Sequence, residues 1–480
     1  MRRLFISVST LLLVLTLSTG RAQSQNSVRT MTLGEAFECV LEQNASLRAA
    51  DYAIKSAEHS RRAAIGLRMP TINIGGSFCW MGDDMAVDLN NLKQGVANGT
   101  ESLVQALDPA LGQALQEILA PLATENWELI LQQRAFASIG ANATIPIFTG
   151  GRINVVNRAA KIGEKMARNA RDGVESQLMS ELVERYFGVL LARSALDVRH
   201  QVSEGLRQHL ADAISLERNG VVAASERLYV EYRLAEAIRD ERKAQYTLHT
   251  AEEALQNSLG GMAIEPITVM FVVEHPENAD YFSMMALDHC TLLRQASLGE
   301  DLARENLRLQ RADFYPQVAA IASTSLYNWQ VSTIVPRWAV GVGVNIKLFD
   351  GLTREYRYSA AKQSLRSAES TVAKAESDVV LMVESLHAEM MAQLASLRSI
   401  EASITFAEEY LRSRRIAFTE GVCSSSDLID AELNYARSRI ERLEAAYQFD
   451  IALARLLAVA GAWSEFIDYS NRADSRTITY

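Results

Sequence analysis

Large apolar residues alternate with small or polar residues along the segment that begins at Trp338. The apolar members are Trp338, Val340, Val342, Val344, Ile346 and Leu348, and Ala339, Gly341, Gly343, Asn345 and Lys347 stand between them. Such alternation predicts a β-strand with one apolar face and one polar face. The apolar face must meet either a protein core or lipid, and the pattern alone does not decide between them.

The chain has four such candidate strands, at about 71–80, 136–148, 317–327 and 337–349. The third, "QVAAIASTSLY", is ambiguous, whereas the other three alternate clearly. At 10 to 13 residues each, these strands match the roughly 9–11 residues that a tilted strand needs to cross a bilayer. On the first two strands the apolar faces carry Ile72, Ile74, Phe78 and Trp80, and Ile139, Ala141, Ile145 and Ile147.

Two long stretches, 152–218 and 353–419, contain no proline and are rich in Ala, Leu, Glu, Arg, Ser and Met. Proline breaks helix interiors, and these residue types tolerate or favour helix, so each stretch is predicted to be one helix. A helix of 67 residues would be on the order of 100 Å long. The second has a coiled-coil seam with many small residues: Ala361, Leu365, Ala368, Val372, Ala375, Val379, Met382 and Leu386.

Each long helix ends at a glycine, Gly220 or Gly421, followed by a Ser-containing, acidic start of another helix. This pattern is typical of a tight turn between two antiparallel helices. The return helices extend to Gly260 and Gly461, so the sequence predicts helical hairpins over 152–260 and 352–461. Ordinary antiparallel coiled coils would produce the same pattern.

The sequence pattern of the strand and the hairpin occurs twice in the chain. Gly140, Phe148, Gly220, Glu231 and Gly260 are among twelve residues that recur 201 positions later. A constant offset indicates an internal repeat. The predicted organisation is a first repeat over 31–262, a linker over 263–282, a second repeat over 283–462 and a C-terminal tail over 463–480.

The repeat bears on the choice between core and lipid. Four strands cannot close a barrel, and an open sheet cannot exist in lipid because its edge groups stay unpaired. A lipid-facing sheet would therefore need strands from several chains, with the small polar face lining a lumen. Trp80, Trp329 and Trp338 lie near strand ends, where an interfacial aromatic belt would place them. The alternative is a soluble β-sandwich, but no partner sheet is visible, and lipid is favoured.

The amino terminus has Arg2 and Arg3, a short apolar run, and then small residues ending at Ala22. This pattern predicts a secretory signal peptide over 1–22. A membrane anchor is the weaker alternative because the run is short. The formal net charge of −10 gives no basic surface for a nucleic-acid partner. The four cysteines form no CxxC pair, and mostly unpaired thiols are expected.

Enzyme chemistry finds little support in the sequence. The seven histidines form no HExxH motif and no metal-ligand spacing, and there is no phosphate-binding loop and no GxSxG. We therefore predict no catalytic residues, no metal site, no cofactor and no enzymatic activity.

The repeated order of strand, F-x-G, long helix, glycine and long helix resembles the TolC-type outer-membrane efflux proteins over essentially the whole mature chain. The most specific segment is "FTEGVCSSSDLIDAELNYARSRIERLEAAYQFDIALARLLAVAG", residues 418–461. The resemblance implies a mixed fold: a membrane β-barrel of 12 strands, four from each chain of a homotrimer, continued by a long α-helical coiled-coil tunnel across the periplasm of a Gram-negative bacterium. It also implies outer-membrane lipid, a periplasmic adaptor protein and an inner-membrane transporter of RND or ABC type as partners.

The resemblance also assigns roles to residues near the hairpin tips. Asp427 and Asp430 match acids that form rings in the closed periplasmic entrance, and Phe418 stands where an aromatic gate residue is found. Glycine and valine at the two tips would contact the adaptor: Gly220, Val221, Gly421 and Val422. The alternatives are local, because an Asp in a first helical turn complements the helix dipole and Phe418 could simply pack in the coiled coil.

This chain departs from the family pattern at Cys423, which stands where a gate-latching Arg can occur, so such a latch is in doubt. The first hairpin has Glu226 at the position matching Asp427 but Tyr229 at the position matching Asp430. Any acidic ring would therefore come mainly from the second hairpin. Three copies of one acid at a constriction would attract cations and raise each other's pKa.

The function expected from these features is a passive exit duct for efflux or type I secretion. The alternative is a structural or adhesive coiled-coil protein of the cell envelope. An insertion over 81–133 has no counterpart in the short turn at 328–336 and is expected to fold over the extracellular mouth. The side chains predicted to face lipid are Ile72, Ile74, Phe78, Trp338, Val340, Val342, Val344 and Ile346.

Overall fold

The structure is a computed structural model that describes residues 29–105, 108–124, 126–332, 334–420 and 422–479. The predicted signal peptide (1–22) and Gly421 lie outside these ranges. The chain forms two compact units. We call 54–166 with 297–371 the sheet unit, and 29–53 with 167–296 and 372–479 the core unit.

The predicted long strands and hairpin helices occur in the expected order along the chain, and shorter strands and helices that the repeat did not predict lie before, between and after them. The strands are β1 (Arg29–Met31), β2 (Thr71–Trp80), β3 (Met85–Asp88), β4 (Glu128–Gln132), β5 (Ala135–Phe148), β6 (Ile264–Pro266), β7 (Met270–Val273), β8 (Gln317–Trp329), β9 (Trp338–Asn345) and β10 (Ser475–Ile478). The helices are α1 (Leu33–Gln43), α2 (Ala45–Gly66), α3 (Asn90–Gln105), α4 (Pro109–Thr124), α5 (Arg152–Arg218), α6 (Ala224–Ser258), α7 (Ala279–His289), α8 (Thr291–Ala312), α9 (Thr353–Thr419), α10 (Ser425–Ala460) and α11 (Phe466–Ser470).

The four long strands of the sheet unit form one antiparallel sheet in the order β2-β5-β8-β9. Pairing of β2 with β5 runs without a break from Thr71 opposite Thr144 to Trp80 opposite Ala135. The β5–β8 pair shifts register at Ile139/Gly140 and at Pro146/Phe148, and such bulges locally increase strand twist. All four predicted strands are therefore present, in a single sheet.

The fourth strand is shorter than predicted. It ends at Asn345, which pairs with Gln317, the first residue of β8. Arg354 at the start of α9 donates hydrogen bonds to the carbonyl oxygens of Lys347 and Leu348, at 2.8 and 3.2 Å. Those carbonyls bind a side chain and not a neighbouring strand. The alternating sequence pattern therefore extends beyond the paired strand, and Ile346 lies outside it.

The segment predicted as an insertion, 81–133, contains β3, β4, α3 and α4. β3 and β4 form an antiparallel pair, in which Asp88 lies opposite Glu128. Arg134 and Met81 close the base of the segment, where the Met81 amide donates to the Arg134 carbonyl at 2.7 Å. The insertion thus contains a two-stranded ribbon of its own. Along the chain, this ribbon lies between β2 and β5 of the four-stranded sheet.

The predicted linker and C-terminal tail are parts of the core unit and not bare connections. β7 within 263–282 pairs antiparallel with β10 within 463–480. All four β7 residues are buried, and Phe271 packs its ring 5.4 Å from that of Phe466. Pairing between segments so far apart in the chain leaves no local signal, which is why the sequence pattern did not reveal it.

Tyr186 of α5 holds the junction of β1 and β6 in the core unit. Its hydroxyl donates to the Met31 carbonyl at 2.7 Å and accepts from the Ile267 and Thr268 amides at 2.9 Å each. The side chain is fully buried, so its polar atom needs these partners. The long helix is thereby fixed to the small sheets around it.

Asp450 of α10 is completely buried in the same core. One carboxylate oxygen accepts from the Phe271 amide at 3.3 Å, and the other, Oδ1, has no hydrogen-bond partner among the described residues. Burial raises the pKa of Asp450 well above its usual value, and the Phe271 amide only partly opposes this. The neutral acid is the form that the folded chain favours.

We expect Asp450→Asn to stabilise the chain increasingly as the pH rises. The raised pKa in the folded state means that the Asp450 contribution is fully present below its unfolded pKa and is lost as the pH rises through the folded value. The amide is neutral at every pH and keeps a carbonyl for the Phe271 amide. Chemical denaturation from pH 4 to 9 checks this, and a difference between variant and parent that is constant with pH would contradict it.

The two long helices α5 and α9 have 67 residues each and the bounds that the missing prolines and the terminal glycines predict. At the end of α10, Gly461 adopts φ +75°, and a Cβ there would lie 2.8 Å from the His289 Cβ. Only glycine fits this cap without strain. No described helix is both long and apolar enough to span a bilayer.

Candidate functional site

The sheet has one continuous apolar face with nothing packed on it in the described chain. Val342 is 65% exposed and Trp338 70% exposed, although both are large and apolar. The pairing registers place residues of all four strands on this face, for example Val342 opposite Ala320 and Ile74 opposite Ala141. The residues predicted to face lipid are all exposed: Ile72, Ile74, Phe78, Trp338, Val340, Val342, Val344 and Ile346.

The other face of the same sheet is mostly small and polar, with Phe136 and Ile321 as its large apolar members. The registers align Asn73 with Asn142, Ser77 with Ser138 and Thr144 with Ile321. The Ser77 and Ser138 hydroxyls are hydrogen-bonded at 3.0 Å. Gly343 also lies on this face, where the Ile321 Cδ1 would be 3.2 Å from an added Cβ. The sheet is therefore amphipathic over its whole width.

Aromatic side chains gather at one end of the apolar face. The Phe78 and Trp329 rings stack with centroids 6.5 Å apart and an interplanar angle of 19°. The Arg134 guanidinium lies 5.9 Å from the centroid of the Trp80 ring. An apolar band that ends in aromatic and cationic groups is the pattern of a bilayer interface.

Both outer strands of the sheet have a free edge. Among the described strands, β2 pairs only with β5, and β9 pairs only with β8. Unpaired edge groups bind other strands readily, and they are not tolerated in lipid. A sheet of this kind placed in lipid would need further strands at these two edges.

The hairpin tips expose apolar side chains to solvent. Gly220 adopts φ +72° and has nothing within 4 Å of an added Cβ, so the turn itself demands glycine. Val221 and Val422 are 66% and 80% exposed. The structure thus presents three of the four predicted adaptor-contacting residues at the tips, and the fourth, Gly421, is outside the described ranges.

Asp427 lies in the first turn of α10, which Ser424 caps. The Ser424 hydroxyl accepts from the Asp427 amide at 3.2 Å and donates to the Asp427 carboxylate at 2.8 Å. The Ser424 hydroxyl is the main cause of a lowered Asp427 pKa, with the backbone of Ser424 and Arg414 adding to it. Asp427 is therefore ionised and exposed at neutral pH.

Asp430 forms an ion pair with the first hairpin. Its carboxylate is 3.3 Å from the Arg233 guanidinium of α6, while its side chain stays 56% exposed. Arg233 also donates to the Tyr229 hydroxyl at 3.0 Å and pairs with Glu236. Tyr229 stands at the position in the first repeat that matches Asp430. It thus helps to hold Arg233, the residue with which Asp430 pairs.

Phe418 packs within the coiled coil. It is half-buried against a cluster of Leu411, Leu428 and Ala431. The imidazole of His209 on α5 makes an edge contact with its ring, at 5.9 Å between centroids. The gate role that the resemblance implies for Phe418 stays a prediction.

Sequence reasoning missed Glu432, which joins three helices near the tips. Its carboxylate lies 3.2 Å from Nε2 of His209 on α5. It also lies 3.2 Å from the guanidinium of Arg415 on α9. Burial opposes the charge, but His209 and Arg415 outweigh it and lower the Glu432 pKa. The signal was present, because Glu432 is the repeat partner of Glu231.

The tip cysteine has polar neighbours. Cys423 Sγ lies 3.9 Å from Asp427 Oδ2. The guanidinium of Arg414 covers the Tyr410 ring at 4.8 Å, and hydrogen bonds with Cys423 and Tyr410 raise its pKa. All four cysteines are free thiols. Within the described ranges, no group of three or more His, Cys, Asp or Glu side chains is arranged to hold a metal ion.

Comparison with known proteins identifies this architecture. The family model for "Outer membrane efflux protein" matches residues 132–261 and 283–462. The alkaline protease secretion protein AprF of Pseudomonas aeruginosa is 24% identical over 305 residues, covering 60% of this chain and 62% of AprF. The outer membrane protein TolC of Escherichia coli K12 is 21% identical over 297 residues, covering 58% of this chain and 60% of TolC. The chain thus spans about three fifths of the length of these two relatives.

Other matches cover more of the chain. The cation efflux system protein CusC of Escherichia coli O157:H7 is 22% identical over 464 residues, 92% of this chain and 87% of CusC. A solved structure of CusC superposes with a TM-score of 0.69 at 17% identity, over 89% of this chain and 91% of that one. The outer membrane protein VceC of Vibrio cholerae gives 0.68 at 15% identity, over 90% and 96%. At these identities the structures establish the fold.

Proposed function

The chain belongs to the outer membrane efflux protein family, and on this premise we propose that it is the outer-membrane exit duct of a tripartite efflux or type I secretion system. The observation that supports this most strongly is the uncovered apolar face of the β2-β5-β8-β9 sheet, with a polar face behind it. Such a sheet is suited to lipid on one side and water on the other.

The free edges of β2 and β9 support assembly from several copies, and we propose three. Three copies would supply 12 strands, and pairing β9 of one copy with β2 of the next would leave no open edge. The polar face, with Asn73, Asn142 and Ser323, would then line the lumen. The helical hairpins would continue this duct as a coiled-coil tunnel in the periplasm.

In this proposal the duct is passive, and a partner supplies the energy for export. We propose a periplasmic adaptor at the exposed tips, around Val221 and Val422, and an inner-membrane transporter of RND or ABC type behind it. The relatives include a protease secretion protein and a cation efflux system protein, so the proposal covers both transport classes.

The direct test is conductance of the purified, processed chain. We expect a trimer in detergent by light scattering, and stepwise conductance increases in planar bilayers. A monomer that dissolves without detergent and never conducts would overturn the proposal and favour the structural or adhesive envelope protein. If the chain is trimeric and conducts, photo-crosslinking from Val221 and Val422 in cells would identify the adaptor.

We further propose that 81–133 folds over the extracellular mouth of the duct. Its base is tied to the sheet's end by Gln132, which donates to the Gln330 carbonyl at 2.7 Å and accepts from the Ser332 amide at 2.8 Å. Both partners lie in the turn between β8 and β9, so the segment is attached at that end of the sheet unit.

Deletion of residues 90–126 with a short Gly-Ser connection should raise single-channel conductance, because a covering segment adds resistance in series with the pore. Single-channel recording in planar bilayers measures this. The control is Asp83→Asn, a variant that keeps the whole segment and is compared at the same expression level. Unchanged conductance after the deletion would show that the segment does not cover the pore.

A further inference from the structure

Helices α3 and α4 form an antiparallel helical hairpin within the segment 81–133. At its base, the Asn90 side-chain amide donates to the Asn126 side-chain oxygen at 2.8 Å, and the Trp127 amide donates to Asn90 Oδ1 at 3.1 Å. Near its other end, an added Cβ on Gly112 would lie 3.5 Å from the Val104 Cγ1. The two helices therefore run side by side in opposite directions. We call α3 and α4 together the insertion hairpin.

Both helices of the insertion hairpin expose large apolar side chains. Leu103 on α3 is 60% exposed, and Ile118 on α4 is 70% exposed. Successive apolar members are three, four or seven residues apart, so they lie in one row along each helix. We call these residues the insertion face: Leu92, Val96 and Leu103 on α3, and Leu111, Ala114 and Ile118 on α4.

The two rows lie on the same side of the insertion hairpin. At about 100° per residue, each row is rotated by roughly 100–130° from the residue that faces the other helix, which is Val104 on α3 and Gly112 on α4. The rotation has the same sense along the chain on both helices, and the helices are antiparallel, so both rows come to one side. The opposite side is polar and exposed, and it includes Gln94, Asn98, Glu101, Gln113 and Glu117.

Two glycines of α3 lie beside its apolar row, four residues apart. Apart from the helix's own backbone, nothing in the described chain lies within 4 Å of a Cβ built on Gly95 or Gly99. Glycine weakens a helix interior relative to alanine, and no contact within the described chain explains its use at these two positions. Small residues at this spacing let another helix approach closely. The insertion face is therefore suited to a further helix.

The charges of the insertion hairpin favour a protein over a lipid surface. Its charged residues are one base, Lys93, and three acids, Glu101, Asp108 and Glu117. Helices that lie on a membrane are typically rich in Lys and Arg on their polar face, whereas this polar face carries Glu101 and Glu117. A helical protein surface is the occupant that agrees with both the glycines and the charges.

The position of the insertion hairpin in the chain favours a second copy as this partner. The segment 81–133 begins directly after β2, one of the two free edge strands of the sheet. In the proposed duct this edge pairs with β9 of the next copy, so the segment emerges at the boundary between copies. Rotation about the axis of the duct then brings the same hairpin of each neighbour to the same height.

We propose that the insertion faces of the three copies pack against one another around the axis of the duct, so that their hairpins form one helical bundle over its mouth. This inference rests on the proposed function and on the proposed place of 81–133 at the mouth. It adds the surface that holds the segment there. Since rotation leaves height unchanged, each residue of the insertion face is level with the same residue of its neighbours.

Cross-linking between identical positions tests the bundle. Full-length protein carrying Cys79→Ser and Cys423→Ser receives either Leu103→Cys on the insertion face or Glu101→Cys on the polar side, two residues away, and a short bismaleimide is added. We expect on the order of tenfold more covalent dimer from Leu103→Cys, because side chains held together react at a raised effective concentration. Dimer is the expected product, since each cysteine reacts once.

A charge in the insertion face gives a second readout. Val96→Asp should raise single-channel conductance to the value of the 90–126 deletion, because three carboxylates without partners inside an apolar bundle would separate the hairpins. The amount of trimer should stay as in the parent. Gln94→Asp places the same charge on the polar side of α3 and should leave conductance unchanged. If the deletion raises conductance and Val96→Asp does not, the bundle is refuted.

The outcomes separate this inference from the proposed function. If the parent is trimeric and conducts but Leu103→Cys and Glu101→Cys cross-link alike, the bundle is overturned and the exit duct stands. Quenching of a fluorophore on Leu103→Cys by spin-labelled lipid in proteoliposomes would place the insertion face on the membrane and would also overturn the bundle. If the parent is a monomer that never conducts, both the exit duct and the bundle fall.

Discussion

Val342→Arg should abolish assembly in the membrane. Val342 lies in the middle of β9 on the apolar face and is 65% exposed in the chain. An arginine facing lipid near the bilayer midplane costs about 2–4 kcal/mol, and three copies would carry this cost together, roughly 6–12 kcal/mol for one trimer. Flotation of membranes, with detergent-resistant trimer scored on gels, measures the result.

The matched control places the same residue on the other face of the sheet. Ser323→Arg lies opposite Asn142 and Ala339 on the polar face. We expect normal trimer and membrane insertion for this variant, with a lower conductance because three cations would enter the lumen. Insertion of Val342→Arg together with loss of Ser323→Arg would show that the faces are assigned the wrong way round.

Asp427→Asn combined with Asp430→Asn should weaken block of the pore by divalent cations at least tenfold. The Ser424 hydroxyl lowers the pKa of Asp427, so it is charged at neutral pH, and three copies would place six carboxylates at one entrance. Asparagine removes the charge but keeps an oxygen for the Ser424 cap. The half-blocking concentration of Co²⁺ or Mg²⁺ in planar bilayers gives the measurement.

The control for this pair removes the same charge elsewhere on the second hairpin. Asp378→Asn with Glu384→Gln changes two exposed acids of α9 far from the tip, and block should stay as in the parent. Since Arg233 already pairs with Asp430, the Asp427 substitution alone should produce most of the change. If the tip and control variants respond alike, the effect is one of net charge, and the two acids have only local roles, Asp427 in its contact with Ser424 and Asp430 in its pair with Arg233.

The long helices were predictable because their signals are local. Proline-free stretches and terminal glycines fixed α5 and α9 at both ends, and the alternation of apolar residues located β2 and β5 within one residue. The end of β9 was not predictable, because Asn345 lies opposite Gln317, the first residue of β8, and the carbonyls beyond it, those of Lys347 and Leu348, bind Arg354 of the next helix. Alternation in the sequence shows on which face of a strand a side chain lies, whereas the hydrogen-bonded ladder between two strands ends where the neighbouring strand ends.

The candidate site was predictable in part. The apolar face was predictable from the alternation of apolar residues that includes Val342. Asp427 was predictable from its position after the tip glycine in the segment that carries the family resemblance. Glu432 has no local signature beyond the repeat, because its role arises from His209 and Arg415 on two other helices. Which side chains meet across helices is decided by packing and not by spacing along one of them.

The sequence alone determined the four strands, the two hairpins and the amphipathic alternation, since each depends on residues close together in the chain, and it also revealed the repeat, because the same residues recur at a constant offset. Tertiary structure decided that the strands form one sheet with no second sheet on its apolar face in the described ranges. It also decided that β7 and β10, about 200 residues apart, complete one core. Local periodicity fixes which way a side chain points, but only the folded chain shows whether anything lies there to cover it.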